Sequence, residues 1–153
     1  ASHKSYSITL SNNRTEKAAI DYVMGADPTL LNPSRESRKH ILELLDLPSS
    51  FARAFDLIQV PGHVNSETEI TKSEKSTITL VELKTTQKRL PESPKGFFFG
   101  ATQNELDLAE RMGDQFRFCF VCLHPDSLGY QLLTLNELNK LIRTKRTQFQ
   151  INL

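Results

Sequence analysis

The chain is short of several things, and each shortage narrows what it can do. It has two cysteines in 153 residues. These are Cys119 and Cys122, with no second pair to complete a zinc ribbon. Both lie in the apolar run from Phe116 to Leu123, and on a strand residues three apart point to opposite faces. Two reduced, buried thiols without metal, in a reducing compartment, are therefore expected. No run approaches the ~20 apolar residues of a membrane-spanning helix. The opening Ala1-Ser2-His3-Lys4 lacks the apolar centre of a signal peptide, which favours a cytoplasmic protein with no membrane contact. The net charge is only +1, so any basic surface for nucleic acid must be local. No internal repeat or low-complexity linker divides the chain. Residues 1–153 read as one domain, long enough to bury a core without staples.

What is present is a mixture of helical and strand periodicity. Thr15 to Met24 has Ala18, Ala19, Tyr22 and Val23 at helical spacing, after a mixed polar lead over residues 5–13. Gly25 is the expected cap of that helix and Asp27-Pro28 its stop. Ser34 is placed to cap a second helix whose stripe is Ile41, Leu42, Leu44 and Leu45. Arg35, Arg38, Lys39 and His40 gather near its start, where a solvated face is the plainer reading and phosphate contact the sharper one. Phe55 to Val60 reads as a strand carrying one acid, Asp56. A polar loop over 63–76 follows, then a strand buried on both faces at 77–86. Gly96-Phe97-Phe98-Phe99-Gly100 reads as a short strand bounded by glycines. Two capping boxes, Thr102-Gln103-Asn104-Glu105 and Thr134-Leu135-Asn136-Glu137, open helices running to Met112 and to about Arg143. Phe116–Leu123 and Tyr130–Leu133 supply further strands. This order predicts an α/β (α+β) fold, a mixed sheet flanked by helices.

The buried strand at 77–86 contains a feature that needs explaining. Glu82 and Lys84 project from one face of it, with Leu83 on the other. A carboxylate and an ammonium are costly to desolvate on a central strand unless they are paired or bound to something. Asp56 and Glu82 could hold a hard divalent cation together with the Leu83 backbone carbonyl. Such a cation acidifies water for attack on phosphorus and offsets phosphate charge. Lys84 is one strand step away, placed to orient or deprotonate that water and to stabilise transition-state charge. A surface salt bridge is the bland reading of the same pair.

The set Asp56 … Glu82-Leu83-Lys84 resembles the PD-(D/E)XK nuclease superfamily. Phe55-Asp56-Leu57, Val81 to Thr86, and Phe98 followed by Thr102-Gln103-Asn104-Glu105-Leu106 and Ala109 are similar to one branch of it. That branch is the domain at the C-terminus of the plant NO VEIN protein, also fused to bacterial helicases and restriction enzymes. The likeness spans about residues 15–123. It implies a restriction-endonuclease-like αβββαβ core with an added C-terminal β-α segment. It also implies Mg²⁺-dependent cleavage of DNA within a restriction or DNA-processing system, with Mn²⁺ as a substitute cofactor. DNA is then the partner, and a second copy, a partner subunit, or a fused recognition or helicase domain supplies specificity. The Pro of the superfamily name is absent, since Ala54 and Phe55 precede the acid. The catalytic set on this reading is Asp56, Glu82 and Lys84. Glu16 on the first helix and Gln103 at a helix start are accessory candidates, each with a capping or helix-dipole role as the bland alternative. Lys88 and Arg89 are candidates for backbone phosphate contacts. His40, His63 and His124 lack metal-ligand spacing. A nucleic-acid-binding or protein-interaction module on the same fold, with catalysis lost, is the alternative; a purely structural domain leaves the triplet unexplained.

Overall fold

The computed structural model describes residues 2–62, 70 and 74–153, with side chains from Arg14 onwards. Most of the polar stretch expected to form a loop at 63–76, His63 included, lies outside them. The described residues form a mixed α+β fold of four helices and a five-stranded sheet. In chain order these are α1 (Ser2–Ala26), β1 (Leu30–Leu31), α2 (Arg35–Leu44), β2 (Leu57–Gln59), β3 (Thr79–Thr86), α3 (Gln103–Met112), β4 (Phe116–Cys122), β5 (Gly129–Leu133) and α4 (Leu135–Leu141). The sheet runs β1-β2-β3-β4-β5. Only β3 and β4 are parallel, with Glu82 opposite Phe118 and Lys84 opposite Phe120. The α3 crossover makes that parallel step possible, because two parallel strands cannot be joined by a tight turn.

Period-two alternation sorts the strand residues into two cores. Leu80, Phe116, Phe118 and Phe120 face one side, under α2, α3 and α4 with Ile41, Leu42, Leu108 and Leu138. Val81, Leu83, Cys119 and Val121 face the other, where Ala19 and Val23 of α1 cover them. Glu82 and Lys84 therefore stand on the α3 side, between Leu80 and the end of β3. Both thiols are free and buried, and burial pushes Cys119 well above the ordinary thiol range. Among the described residues no helix is long and apolar enough to cross a membrane.

The structure corrects several expectations. The first helix begins at Ser2, ahead of Thr15, and ends at Ala26, so Gly25 is its penultimate residue and not a cap. Ala18 is exposed; the covered face runs through Ala19 and Val23. Leu30–Leu31 is a strand that periodicity could not reveal, because two residues carry no period. It is set instead by Asp27, whose carboxylate accepts the Thr29 N–H and hydroxyl at 3.0 and 2.6 Å and turns the chain into the sheet. The C-terminal helix stops at Leu141, two residues short of Arg143. Phe97–Phe99 is not a strand. Gly96 has φ +86 and the Phe97 N–H bonds back to the Pro94 carbonyl, so the segment enters as a turn. The rings of Phe97 and Phe99 instead pack edge-on against Phe120, each 5.0 Å between centroids.

Candidate active site

The site exists because β2 is shorter than β3. Pairing between them ends at Leu57↔Val81, followed by one more bond from the Asp56 N–H to the Val81 carbonyl at 2.8 Å. Before Asp56 the chain leaves the sheet: Ser49–Arg53 is a 3₁₀ turn, and Ala54 and Phe55 are buried in the core. Beyond Val81, β3 therefore has an open edge on the β2 side. Asp56 covers its first position, accepting the Leu83 N–H on Oδ2 at 2.8 Å, a bond that a continuing strand would have made with its backbone. A strand residue's N–H and C=O point the same way, so the Leu83 carbonyl faces this edge too. One register step past Leu57↔Val81, Asp56 is set against Glu82. A cleft of about 280 Å³ opens here, lined by Glu16, Glu82, Leu83, Lys84, Thr85, Phe98, Phe99 and Gly100.

Its charges are crowded and lopsided. Glu82 is 7% exposed, and its Oε2 is buried without a hydrogen-bond partner. Its Oε1 lies 3.6 Å from Lys84 Nζ. That ammonium is held more closely by Glu105 of α3, at 2.9 and 3.3 Å to the two carboxylate oxygens. Glu105 Oε1 also accepts the Thr102 N–H at 3.0 Å, so one carboxylate both caps α3 and anchors the lysine. Burial pushes Glu82 up to about 10, helped by the charges of Asp56 and Glu105; Lys84 opposes them. Glu16 is also raised, by burial and by Asp56, against the pull of Lys84. Asp56, Glu82, Glu105 and Glu16 thus share the field of the Lys84 ammonium, with the Arg38 guanidinium close to Asp56 and Glu82.

A divalent cation fits this arrangement. The orphaned Glu82 Oε2, the Asp56 carboxylate and the Leu83 carbonyl are hard oxygen donors on one edge, where a divalent cation would replace the proton that burial holds on Glu82. Among the described residues no three His, Cys, Asp or Glu side chains gather closely enough to hold a metal by themselves. The donor set is therefore two carboxylates, a carbonyl and water, which suits Mg²⁺, an ion that dehydrates reluctantly and keeps several waters.

Arg38 was expected on a basic surface and is instead part of the scaffold. Its guanidinium donates to the Phe55 carbonyl at 2.6 Å and the Asp56 carbonyl at 2.7 Å, and stacks over the Phe55 ring at 5.1 Å. Burial lowers its pKa, while Asp56 and Glu82 pull the other way. It fixes the backbone from which Asp56 projects. Its neighbours Arg35, Lys39 and His40 are exposed, with His40 near Glu36 and Glu43 at 4.0 and 3.9 Å.

The other candidates stand apart from the cleft. Gln103 is exposed and donates to Asp107 Oδ1 at 2.8 Å, one helical turn along. Lys88 and Arg89 are exposed on the connection after β3, Arg89 lying 3.9 Å from Asp126. His124 is used locally, its Nδ1 accepting the Asp126 N–H. Two contributors were missed. Glu105 was hidden behind its capping motif, although a helix start packed beside the Glu82–Lys84 face was a clue. Phe98 was assigned to a strand, although three consecutive aromatics cannot all face inward on a period-two element.

No protein-family model matches this chain, and no curated protein or solved structure matches it either.

Proposed function

We propose that the cleft is a Mg²⁺-dependent phosphodiesterase centre that hydrolyses DNA, in the manner of the PD-(D/E)XK nucleases the sequence resembles. One observation carries this reading: a buried, unpartnered carboxylate oxygen on Glu82, beside Asp56 and Lys84, at the open edge of the central strand. The element order supports it. α1, β1, β2, β3, α3 and β4 follow the αβββαβ order of that superfamily, with α2 inserted between β1 and β2 and a β5-α4 segment added.

Asp56, Glu82 and the Leu83 carbonyl would hold the ion, which supplies Lewis acidity at the phosphate and acidifies water. Asp56 is locked for this by Arg38 behind it and by the Leu83 N–H in front. Lys84, held by Glu105, would bring its ammonium to the water and to the phosphate oxygen gaining charge. The water oxygen bonds to phosphorus and loses a proton to solvent, and the ester P–O bond breaks, its oxygen leaving with a proton from solvent. Glu16 faces the same cleft from α1 and would order water there. Gln103, Lys88 and Arg89 touch the phosphate backbone at most outside the cleft. A second copy or a fused or partner recognition domain supplies specificity within a restriction or DNA-processing system. The cytoplasm is the fitting compartment for two buried free thiols.

Incubation of plasmid and single-stranded DNA with the purified chain tests this. Cleavage should require Mg²⁺ or Mn²⁺, stop with EDTA, and fall at least ~10²-fold in Asp56→Asn and Glu82→Gln. No cleavage of either DNA, together with no calorimetric Mg²⁺ binding that Glu82→Gln abolishes, would refute it.

A further inference from the structure

Phe98 stands out at the rim of the cleft. It is 95% exposed, while the phenylalanines on either side of it are tucked in. This exposure is built in. Phe97 and Phe99 clamp Phe120 edge-on and lie 6.2 Å from each other, so the residue between them is turned outward. The segment is pinned at its entrance as well. Gly96 has φ +86 and sits so close to Leu90 that an added Cβ would meet its side chain at 3.2 Å. The Phe97 N–H donates to the Pro94 carbonyl at 3.1 Å, and Gln131 holds the Ser93 carbonyl at 2.8 Å. An anchored loop thus holds one aromatic ring in solvent, in a cleft shared with Glu82 and Lys84.

Resting on the phosphodiesterase reading, we infer that Phe98 is a base-stacking platform, and that the cleft takes a DNA strand with an unstacked base beside the scissile phosphate. A duplex offers no base face to a side chain unless a nucleotide is flipped out, whereas single strands, ends and gaps do. The chain's net charge is only +1. Outside the ion site and Lys84, phosphate attraction therefore falls to the exposed Lys88, Arg89 and Lys95 on the segment leading to Phe98. Stacking is insensitive to charge and to base identity, and it holds a nucleotide in place without sequence readout.

The test uses the full chain and a short single-stranded oligonucleotide carrying a fluorescent adenine analogue. Its duplex serves as the comparison, with Ca²⁺ in place of Mg²⁺ and again with EDTA. Wild-type protein should bind the single strand more tightly than the duplex and quench the analogue. Phe98→Ala should weaken single-strand binding about tenfold and abolish the quench, and Phe98→Trp should restore both. The exposed position makes both changes safe for folding, which circular dichroism verifies. Equal single-strand affinity in wild type and Phe98→Ala overturns the inference. So does tighter binding of duplex, or binding of neither DNA, which would leave the ring to a protein partner. Plasmid nicking in Mg²⁺ reads the underlying activity separately. Nicking with Phe98-independent binding removes only the stacking role, and Phe98-dependent binding without nicking removes only catalysis.

Discussion

Replacing Arg38 with alanine should loosen the molecule and the proposed ion site together. The guanidinium makes two short charge-assisted bonds, 2.6 and 2.7 Å, to the carbonyls of Phe55 and Asp56. Bonds to a charged group are worth about 1.5–3 kcal/mol each, and a ring contact about 0.5–1 kcal/mol at a partly exposed site. The 5.1 Å approach to Phe55 adds such a contact. Against this stands the cost of burying the cation, the same cost that lowers its pKa. Water can also reach the freed carbonyls, because these bonds are only partly buried. A net loss of about 2–4 kcal/mol follows, or roughly 5–15 °C in Tm for a domain of this size. Arg38→Lys should recover less than half of it, since a point ammonium cannot bridge two carbonyls as a planar fork does. The functional consequence is separate. Without its clamp, the Asp56 backbone is held by the Val81 bond alone, so Mg²⁺ affinity should fall in the folded fraction of both variants. Chemical denaturation and calorimetric Mg²⁺ titration read the two effects independently. If Arg38→Ala stays within about 0.5 kcal/mol of wild type and binds Mg²⁺ equally well, Arg38 is a solvated surface residue after all.

The remaining expectations concern the acid and the lysine. Glu82 is raised to about 10 in the folded chain, so between the ordinary carboxylate range and that value the folded state holds a proton the unfolded state has released. The contribution of Glu82 to stability without divalent ions should therefore be full at acid pH and decline as pH rises through neutral, by up to ~1.4 kcal/mol per pH unit. Glu82→Gln should remove that decline, and parallel pH–stability curves for the two proteins would contradict the assignment. Lys84→Ala should leave Mg²⁺ binding in place and lower turnover about 10²–10³-fold; cleavage at near-normal rate would take Lys84 out of the mechanism.

Some of this architecture could be read in advance, and the dividing line is physical. Alternation along a strand depends only on local geometry, so the side chains of Glu82 and Lys84 could be set on one face and Leu83 on the other from the sequence alone. The two capping boxes were legible for the same reason, since each is a reciprocal bond within four residues. What could not be read depends on partners distant in sequence. Arg38 looks like any surface arginine until α2 lies against the Phe55–Asp56 backbone, 17 and 18 residues away. Glu105 looks like a complete capping residue until the α3 crossover brings it to Lys84, 21 residues upstream. The phenylalanine triplet shows the same limit from the other side. Its composition favours a strand, but the rings of Phe97 and Phe99 pack instead on Phe120, a residue distant in sequence. That packing overrode local preference and left two rings half-buried and one out. A further consequence follows for the site. Each residue that was legible as chemistry, Asp56, Glu82 and Lys84, is costly to place where it stands, and each residue that was not legible, Arg38 and Glu105, is what holds one of them there. The candidate groups betray themselves in sequence because each is a charge set in an apolar run, whereas their supports conform to the patterns of a basic helix face and a helix cap. Supports of this kind are therefore found by asking, for every strained functional group, which distant charge completes it.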